Sequence, residues 1–293
     1  MLALLRTGLV MALCWLLPGA ALAQQQPDVP YVPTPWNVIE TMLEMGQVTA
    51  ADYVVDLGSG DGRVVIEAAK KYGARGVGIE LDGNLVSTAN REARRLGVDA
   101  KAKFVSGNLF SFDFSPATVL TMYLLPKINL DLRPRVLTGL KPGTRVVSHD
   151  FDMGKWKPDA QREISVPNKS YGPPVSQVYM WYVPADVTGK WRWQLSVDGV
   201  ERAYEATIRQ TFQELGVEAT LDGAAAVVGG ERLRGDAISL MVKRDIAGRS
   251  VAHEYTGRVD GDRIIGHAKV AGAEGKMLDW RATRIARGMM STE

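Results

Sequence analysis

The sequence predicts two folds in one chain: an α/β unit built on a mostly parallel sheet, then a small antiparallel β-barrel or sandwich. Two patterns carry this reading. From Tyr53 to Tyr182, short apolar runs alternate with stretches of helical periodicity, the signature of βαβ units. After about Pro184 that periodicity largely disappears, and short alternating segments are separated by Asp-Gly and Gly-Asp turns. A length of 293 residues accommodates one large domain or two modest ones.

The first elements belong to neither unit. Met1 to Ala23 reads as a secretory signal: Arg6 supplies the positive start, Leu9 to Leu17 an apolar core, and Ala21-Leu22-Ala23 a small-x-small cleavage site before Gln24. No Lys or Arg follows Arg6 until Arg63, which orients the body of the protein outside the cytoplasm. Export to the periplasm or cell envelope is therefore expected. The single cysteine, Cys14, lies in this segment, so the mature chain would carry none, and a disulfide framework or cysteine-rich zinc site is excluded. Gln24 to Pro35 is polar and proline-rich and reads as an extended arm. Thr34 is the expected N-cap of a first helix, with Pro35 at its first position and Gly46 at its stop.

The α/β elements follow in order. Tyr53 to Leu57 is a buried-strand run, and Arg63 to Tyr72 is helical and closed by Gly73. Gly76 to Glu80 is the second strand and Leu85 to Leu96 the next helix. Lys103 to Ser106, Val119 to Tyr123 and Arg145 to His149 are further strands, with a helix over Ile128 to Leu140 despite Pro134. Glu163 to Val166 and Gln177 to Val183 suit a closing antiparallel pair. The boundaries expected are 1–23 for the signal, 24–185 for the α/β domain with its arm, and 186–293 for the β-domain. In the latter about eight short strands are punctuated by turns at Asp198-Gly199, Asp222-Gly223, Gly235-Asp236 and Gly261-Asp262. Leu233 to Ile238 resembles Val259 to Ile264, a repeated hairpin solution. His253 and His267 are expected on the barrel surface and His149 at a partly exposed strand end.

Charge narrows the partners. The 35 basic and 33 acidic residues leave a net +2, which gives no electrostatic reason to expect nucleic acid. Three histidines leave little material for a metal cluster.

The chemistry points to the first glycine loop. Val54-Val55-Asp56-Leu57-Gly58-Ser59-Gly60-Asp61-Gly62-Arg63 is a buried strand ending in a carboxylate and three glycines that lead into a helix. The G-x-G-x-G spacing differs from a dinucleotide loop, and the Lys-Ser/Thr of a P-loop is absent. Glu80 ends the next strand, 24 positions after Asp56, where a carboxylate can accept from both hydroxyls of a ribose.

Residues 53–82 resemble the cofactor loop of class I S-adenosylmethionine-dependent methyltransferases, which have a Rossmann-like sheet. Across about 31–158 the resemblance extends to a protein-lysine methyltransferase family that includes the ATP synthase c-subunit enzyme. It rests on Tyr31-Val32-Pro33-Thr34-Pro35, the Asp56-to-Arg63 loop, Gly78-Ile79-Glu80-Leu81 and Gly143-Thr144-Arg145-Val146-Val147-Ser148. The resemblance implies S-adenosyl-L-methionine as cofactor. Asp56, Gly58, Ser59, Gly60 and Gly62 would line its methionine part, Glu80 would hold the ribose, and Asn108 and Leu109 would contact adenine. Tyr31 and Thr34 would fold over it. Tyr123 and Leu124 would face the transferred methyl, as the residues carrying catalysis. The bulky Tyr123-Leu124-Leu125-Pro126 departs from the Asn/Asp-Pro-Pro-Tyr/Phe of nucleobase enzymes. No acidic residue lies between Asp113 and Asp131, so no metal site is expected there. The implied acceptor is a protein lysine. An alternative is an exported binding or scaffolding module on the same fold. Gly189-Lys190-Trp191 and Trp280 to Arg284 resemble a small lipocalin-like module, which implies an apolar ligand or an envelope protein as a partner of the β-domain.

Overall fold

A computed structural model describes residues 31–170, 172–197, 199–270 and 276–292. The expected signal, the arm up to residue 30 and Asp198 of the first barrel turn lie outside the described residues. The α/β unit opens with α1 (Trp36–Met45), then β1 (Tyr53–Leu57), α2 (Arg63–Tyr72), β2 (Arg75–Glu80), α3 (Gly83–Arg95) and β3 (Ala102–Ser106). It continues with β4 (Val119–Met122), α4 (Pro126–Gly139), β5 (Arg145–His149), β6 (Ala160–Ser165) and β7 (Val175–Tyr182). The seven-stranded sheet runs β3-β2-β1-β4-β5-β7-β6. Strands β1 to β5 pair in parallel, and β7 and β6 close the sheet antiparallel.

Alternation along the strands sorts side chains to two faces. Val54, Val119 and Val147 pack with α1 through Val38, Ile39, Met42 and Leu43. Val55, Leu57, Leu120 and Val146 pack with α4 through Ile128, Leu132 and Val136. Each such fully buried aliphatic side chain contributes about 1.5–3 kcal/mol. The order reverses between β1 and β4, so their carboxyl ends open the crevice in which ligands of open α/β sheets bind.

Three helix starts differ from expectation, α4 beginning at Pro126 rather than Ile128. Helix α1 begins at Trp36, not Pro35, because Pro35 keeps an extended ψ of 148° and makes no side-chain cap. Thr34 is therefore not the N-cap; its hydroxyl lies 3.4 Å from the His149 ring instead. Asp82 caps α3 by accepting from the Asn84 amide at 2.8 Å, starting that helix two residues earlier than periodicity predicts. Helix α4 carries Pro134 in its interior, as expected.

The second unit contains β8 (Gly189–Val197), β9 (Val200–Thr211), β10 (Glu214–Leu221), β11 (Ala224–Arg234), β12 (Ala237–Ile246), β13 (Arg249–Asp260), β14 (Arg263–Val270) and β15 (Met277–Arg287). They close into an antiparallel barrel, with β15 returning to β8. Of barrel and sandwich, the barrel forms. The Arg284 guanidinium seals one end: it lies 4.7 Å from the Trp191 ring centroid and donates to the carbonyls of Thr188, Asp186 and Gly261. Trp193, Tyr204, Tyr255 and Trp280 fill the middle, with ring centroids 4.9 to 6.0 Å apart. His253 is a correction to the sequence reading. It is buried and bonded to the Tyr204 hydroxyl at 2.6 Å, because closure of the barrel turns its face of β13 inward. His267, on the opposite face, is exposed. The Gly235-Asp236 and Gly261-Asp262 turns of the internal echo sit at the tips of the β11–β12 and β13–β14 hairpins.

Candidate active site

At the carboxyl ends of β1, β2 and β4 lies a cavity of about 460 Å³, within the range of small-molecule sites. The glycine loop forms its floor. The Gly58 and Ser59 amides both donate to the Ile79 carbonyl at 2.9 Å, pinning the loop to the end of β2. Gly58 and Gly60 have φ of +74° and +54°, conformations that favour glycine. A Cβ on Gly60 would stand 2.4 Å from the Tyr31 ring, and one on Gly58 would stand 2.9 Å from Leu124. The loop is thus shaped for close approach from above. Gly62 does a different job from the one expected. It starts α2 at φ +83°, packed so close to Phe104 and Ala89 that a Cβ would overlap both, and it is not among the residues that line the cavity.

Four acidic residues line the cavity, Asp56, Asp61, Glu80 and Asp82, and two of them, Asp56 and Glu80, sit on β1 and at the tip of β2. Asp56 is buried, and burial is the main reason its carboxyl is pushed up to about 7. The Thr121 hydroxyl donates to it at 2.6 Å and opposes that rise, while the charges of Glu80 and Asp61 add to it. Glu80 accepts from the amides of Gly60 (2.9 Å), Leu81 (2.7 Å) and Asp82 (3.0 Å). Three backbone donors hold this carboxylate in place at the tip of β2 and leave lone pairs for a ligand.

The N-terminal arm covers the loop through a contact the sequence reading missed. Arg63 donates to the Thr34 carbonyl at 2.9 Å and pairs with Asp61 at 2.6 Å. Its guanidinium also lies 5.3 Å from the Trp36 ring centroid. The Asp61 pair holds the Arg63 guanidinium above its usual range, and the Arg63 hydrogen bond holds Asp61 below its own despite burial. Only the adjacency of Asp61 and Arg63 in sequence hinted at this clamp.

Tyr31, Thr34, Asn108, Leu109, Tyr123 and Leu124 all line the cavity with Asp56, Gly58, Ser59, Gly60 and Glu80. The Asn108 side chain accepts from the Phe110 amide at 2.9 Å, which shapes the loop after β3. Tyr123 lies 3.8 Å, centroid to centroid, from His149 and 6.3 Å from Phe151. His149 is fully buried, not partly exposed as expected, because β7 and the arm cover the end of β5. Its ring bonds to Ser176 at 2.9 Å, and burial pushes it down to about 4 despite the neighbouring Asp150. It is neutral at physiological pH and serves as a platform for Tyr123. Behind Tyr123, Asp150 takes a 2.6 Å ion pair from the buried Lys169. Spacing gave no sign of Lys169, which comes from the β6–β7 connection.

A family model described as the ANTKMT methyltransferase domain matches residues 56–160. The chain is 47% identical over 133 residues to a protein-lysine N-methyltransferase of Saccharolobus islandicus, covering 45% of this chain and 83% of that protein. The chain belongs to the class I lysine methyltransferase family. It is also 36% identical over 131 residues to the human lysine N-methyltransferase of the ATP synthase c-subunit, but spans only 55% of that relative's length. A solved RNA methyltransferase from Salinibacter ruber, in complex with S-adenosyl-L-homocysteine, is 49% identical over 53% of this chain and 96% of that one, with a TM-score of 0.48.

This methyltransferase is S-adenosylmethionine-dependent, and its cavity fits that cofactor. The acidic wall of Asp56 and Glu80 suits a ligand carrying an ammonium and a sulfonium, and Glu80 suits ribose hydroxyls. Among the described residues the buried Ser59 hydroxyl has no hydrogen-bond partner, consistent with a polar ligand above the loop.

Proposed function

We propose that this methyltransferase transfers methyl groups to a protein lysine amine and does so outside the cytoplasm. The relatives named protein-lysine N-methyltransferases support the acceptor, and the aromatic wall of Tyr31, Tyr123 and Phe151 carries the reading. When bound, S-adenosylmethionine supplies a methyl already activated on a sulfonium. What remains for the protein is alignment, and catalysis by alignment needs rigid walls. Leu124 against Gly58 and Tyr123 against His149 give such walls. A lysine must also lose its proton before attack, and desolvation beside apolar rings disfavours the ammonium. Phe151 and Tyr123 act here as the desolvating surface, while Asp150 is held by Lys169 and the Gln177 amide. The signal-like residues 1–23 support the exported location.

Labelled methyl transfer tests this reading. The mature chain is incubated with methyl-labelled S-adenosylmethionine and envelope extract from a strain lacking it, and the labelled material is acid-hydrolysed. Recovery of methyl-lysine supports the proposal. Label found only in RNA, or in no macromolecule, overturns it. Fractionating cells that express the full chain tests location; recovery of the protein in the cytoplasm alone refutes export.

A further inference from the structure

The barrel sends one residue into the core of the methyltransferase domain. The β9–β10 hairpin turns on Phe212 and Gln213, with Thr211 opposite Glu214. Phe212 has φ +53°, at a two-residue hairpin position where glycine is the favoured residue. The Gly235-Asp236 and Gly261-Asp262 hairpins of the same barrel place glycine at the equivalent position, with φ +59° and +57°. A bulky side chain there carries backbone strain, so something must hold it.

The ring is 3% exposed and packs in the core of the α/β unit rather than that of the barrel. One face stacks on Trp156 at 6.2 Å and 12°. The Arg133 guanidinium of α4 stands 5.2 Å from its centroid. The hairpin is fixed on either side: the Gln213 side chain donates to the Lys157 carbonyl at 2.7 Å, and the Phe212 amide donates to the Ser291 carbonyl at 3.3 Å.

What this tip touches is the loop that leaves β5. That segment carries Phe151, which lines the cavity, and continues through Met153 to Trp156. Arg133 donates to the Met153 carbonyl at 2.8 Å, and Asn129, also on α4, donates to the Phe151 carbonyl at 3.1 Å. The Phe212 ring thus closes a chain of contacts that runs through Trp156 and Arg133 to the acceptor-side wall.

We propose that Phe212 is a positioning residue: the barrel uses it as a strut that holds the 150–157 loop, and with it Phe151, in the geometry that receives the acceptor. The glycine loop and Glu80 lie outside this chain of contacts, so cofactor binding is independent of the strut. The consequence for turnover rests on the methyl-transfer reading above.

Phe212→Gly separates ring from fold, because glycine suits the turn while the ring is lost. Amide hydrogen exchange of the full chain should show residues 150–157 exchanging about tenfold faster, with residues 57–63 and the barrel strands unchanged. The Kd for S-adenosylhomocysteine should stay within about twofold, while the amount of envelope extract needed for half-maximal methyl labelling rises about tenfold. Phe212→Trp should restore both. If the glycine variant does not fold, Phe212→Leu, which fills the site without a flat ring, carries the same expectation. Unchanged exchange at 150–157 overturns the proposal. So does a uniform rise that includes the glycine loop, which would make Phe212 a general stabiliser. If the wild type labels nothing, the acceptor reading fails, while the exchange experiment still decides the strut.

Discussion

Replacing Thr121 by valine should make cofactor binding depend on pH in a new range. Thr121 is fully buried in β4, opposite Asp56 in the sheet register, and valine keeps its branched shape. What is lost is the 2.6 Å donation to the Asp56 carboxylate. A hydrogen bond to a charged group is worth about 1.5–3 kcal/mol, and one pKa unit corresponds to about 1.4 kcal/mol. Asp56, already pushed up to about 7 by burial, should therefore rise by roughly one to two units further. If the ionised carboxylate is the form that receives the cofactor's cationic amino acid end, its population at pH 7 falls from about a half to between a tenth and a hundredth. Binding at pH 7 should weaken about five- to fifty-fold. Calorimetric titration of S-adenosylhomocysteine into both proteins from pH 6 to pH 9 reads this out as a ratio of Kd values, in which the ligand's own ionisation cancels. The ratio should shrink from tens at pH 6 to about one or two at pH 9. A ratio that does not vary with pH would show that Thr121 acts through packing alone and would refute the argument.

Three further outcomes follow from the same geometry. Gly60→Ala should weaken cofactor binding with little change in far-UV circular dichroism, because its Cβ would stand 2.4 Å from the Tyr31 ring at a φ of +54° and displace the ring that covers the loop; wild-type affinity would contradict the tight loop. His149 is held well below its ordinary value by burial, so its contribution to stability is complete above about 6.5 and is lost as pH falls toward 4. Thermal unfolding midpoints of wild type and His149→Gln should then converge across that window, Asp56 being common to both; parallel curves would exclude the assignment. Arg63→Ala removes the bond to the Thr34 carbonyl and should speed cofactor dissociation about tenfold, consistent with loss of a charged hydrogen bond. Stopped-flow release of S-adenosylhomocysteine measures this, and an unchanged rate would mean the arm is held by other contacts.

The division between local and tertiary information runs through individual residues. The alternation of apolar runs and helical stretches located every strand of the α/β unit, because periodicity is a property of neighbouring residues. Asp56 and the glycines were legible for the same reason: a buried strand, a carboxylate at its end and a tight turn are encoded within about ten residues of each other, and Glu80 stood out as the carboxylate that ends the next strand. The hairpin turns of the barrel were legible through Gly and Asp, whose backbone preferences are intrinsic. Sequence left open whether the strands closed into a barrel or stacked as a sandwich, since both satisfy the same alternation. Closure put β15 beside β8, and the burial of His253 followed from it.

The remaining features arise between residues far apart in the chain. Thr34 meets His149 across 115 positions, and Arg63 meets the Thr34 carbonyl across 29. Lys169 reaches Asp150 from the connection between β6 and β7, and Phe212 reaches Trp156 from the barrel. No periodicity records such pairs, because each partner looks locally like an ordinary loop, turn or strand-end residue. The sequence by itself determined the two folds, the glycine loop and the two strand carboxylates beside it. The tertiary structure alone decided which histidines are buried, what clamps the arm, and which barrel residue supports the acceptor wall. Backbone propensity is written in neighbours, whereas burial and side-chain partnership exist only once the chain has closed on itself.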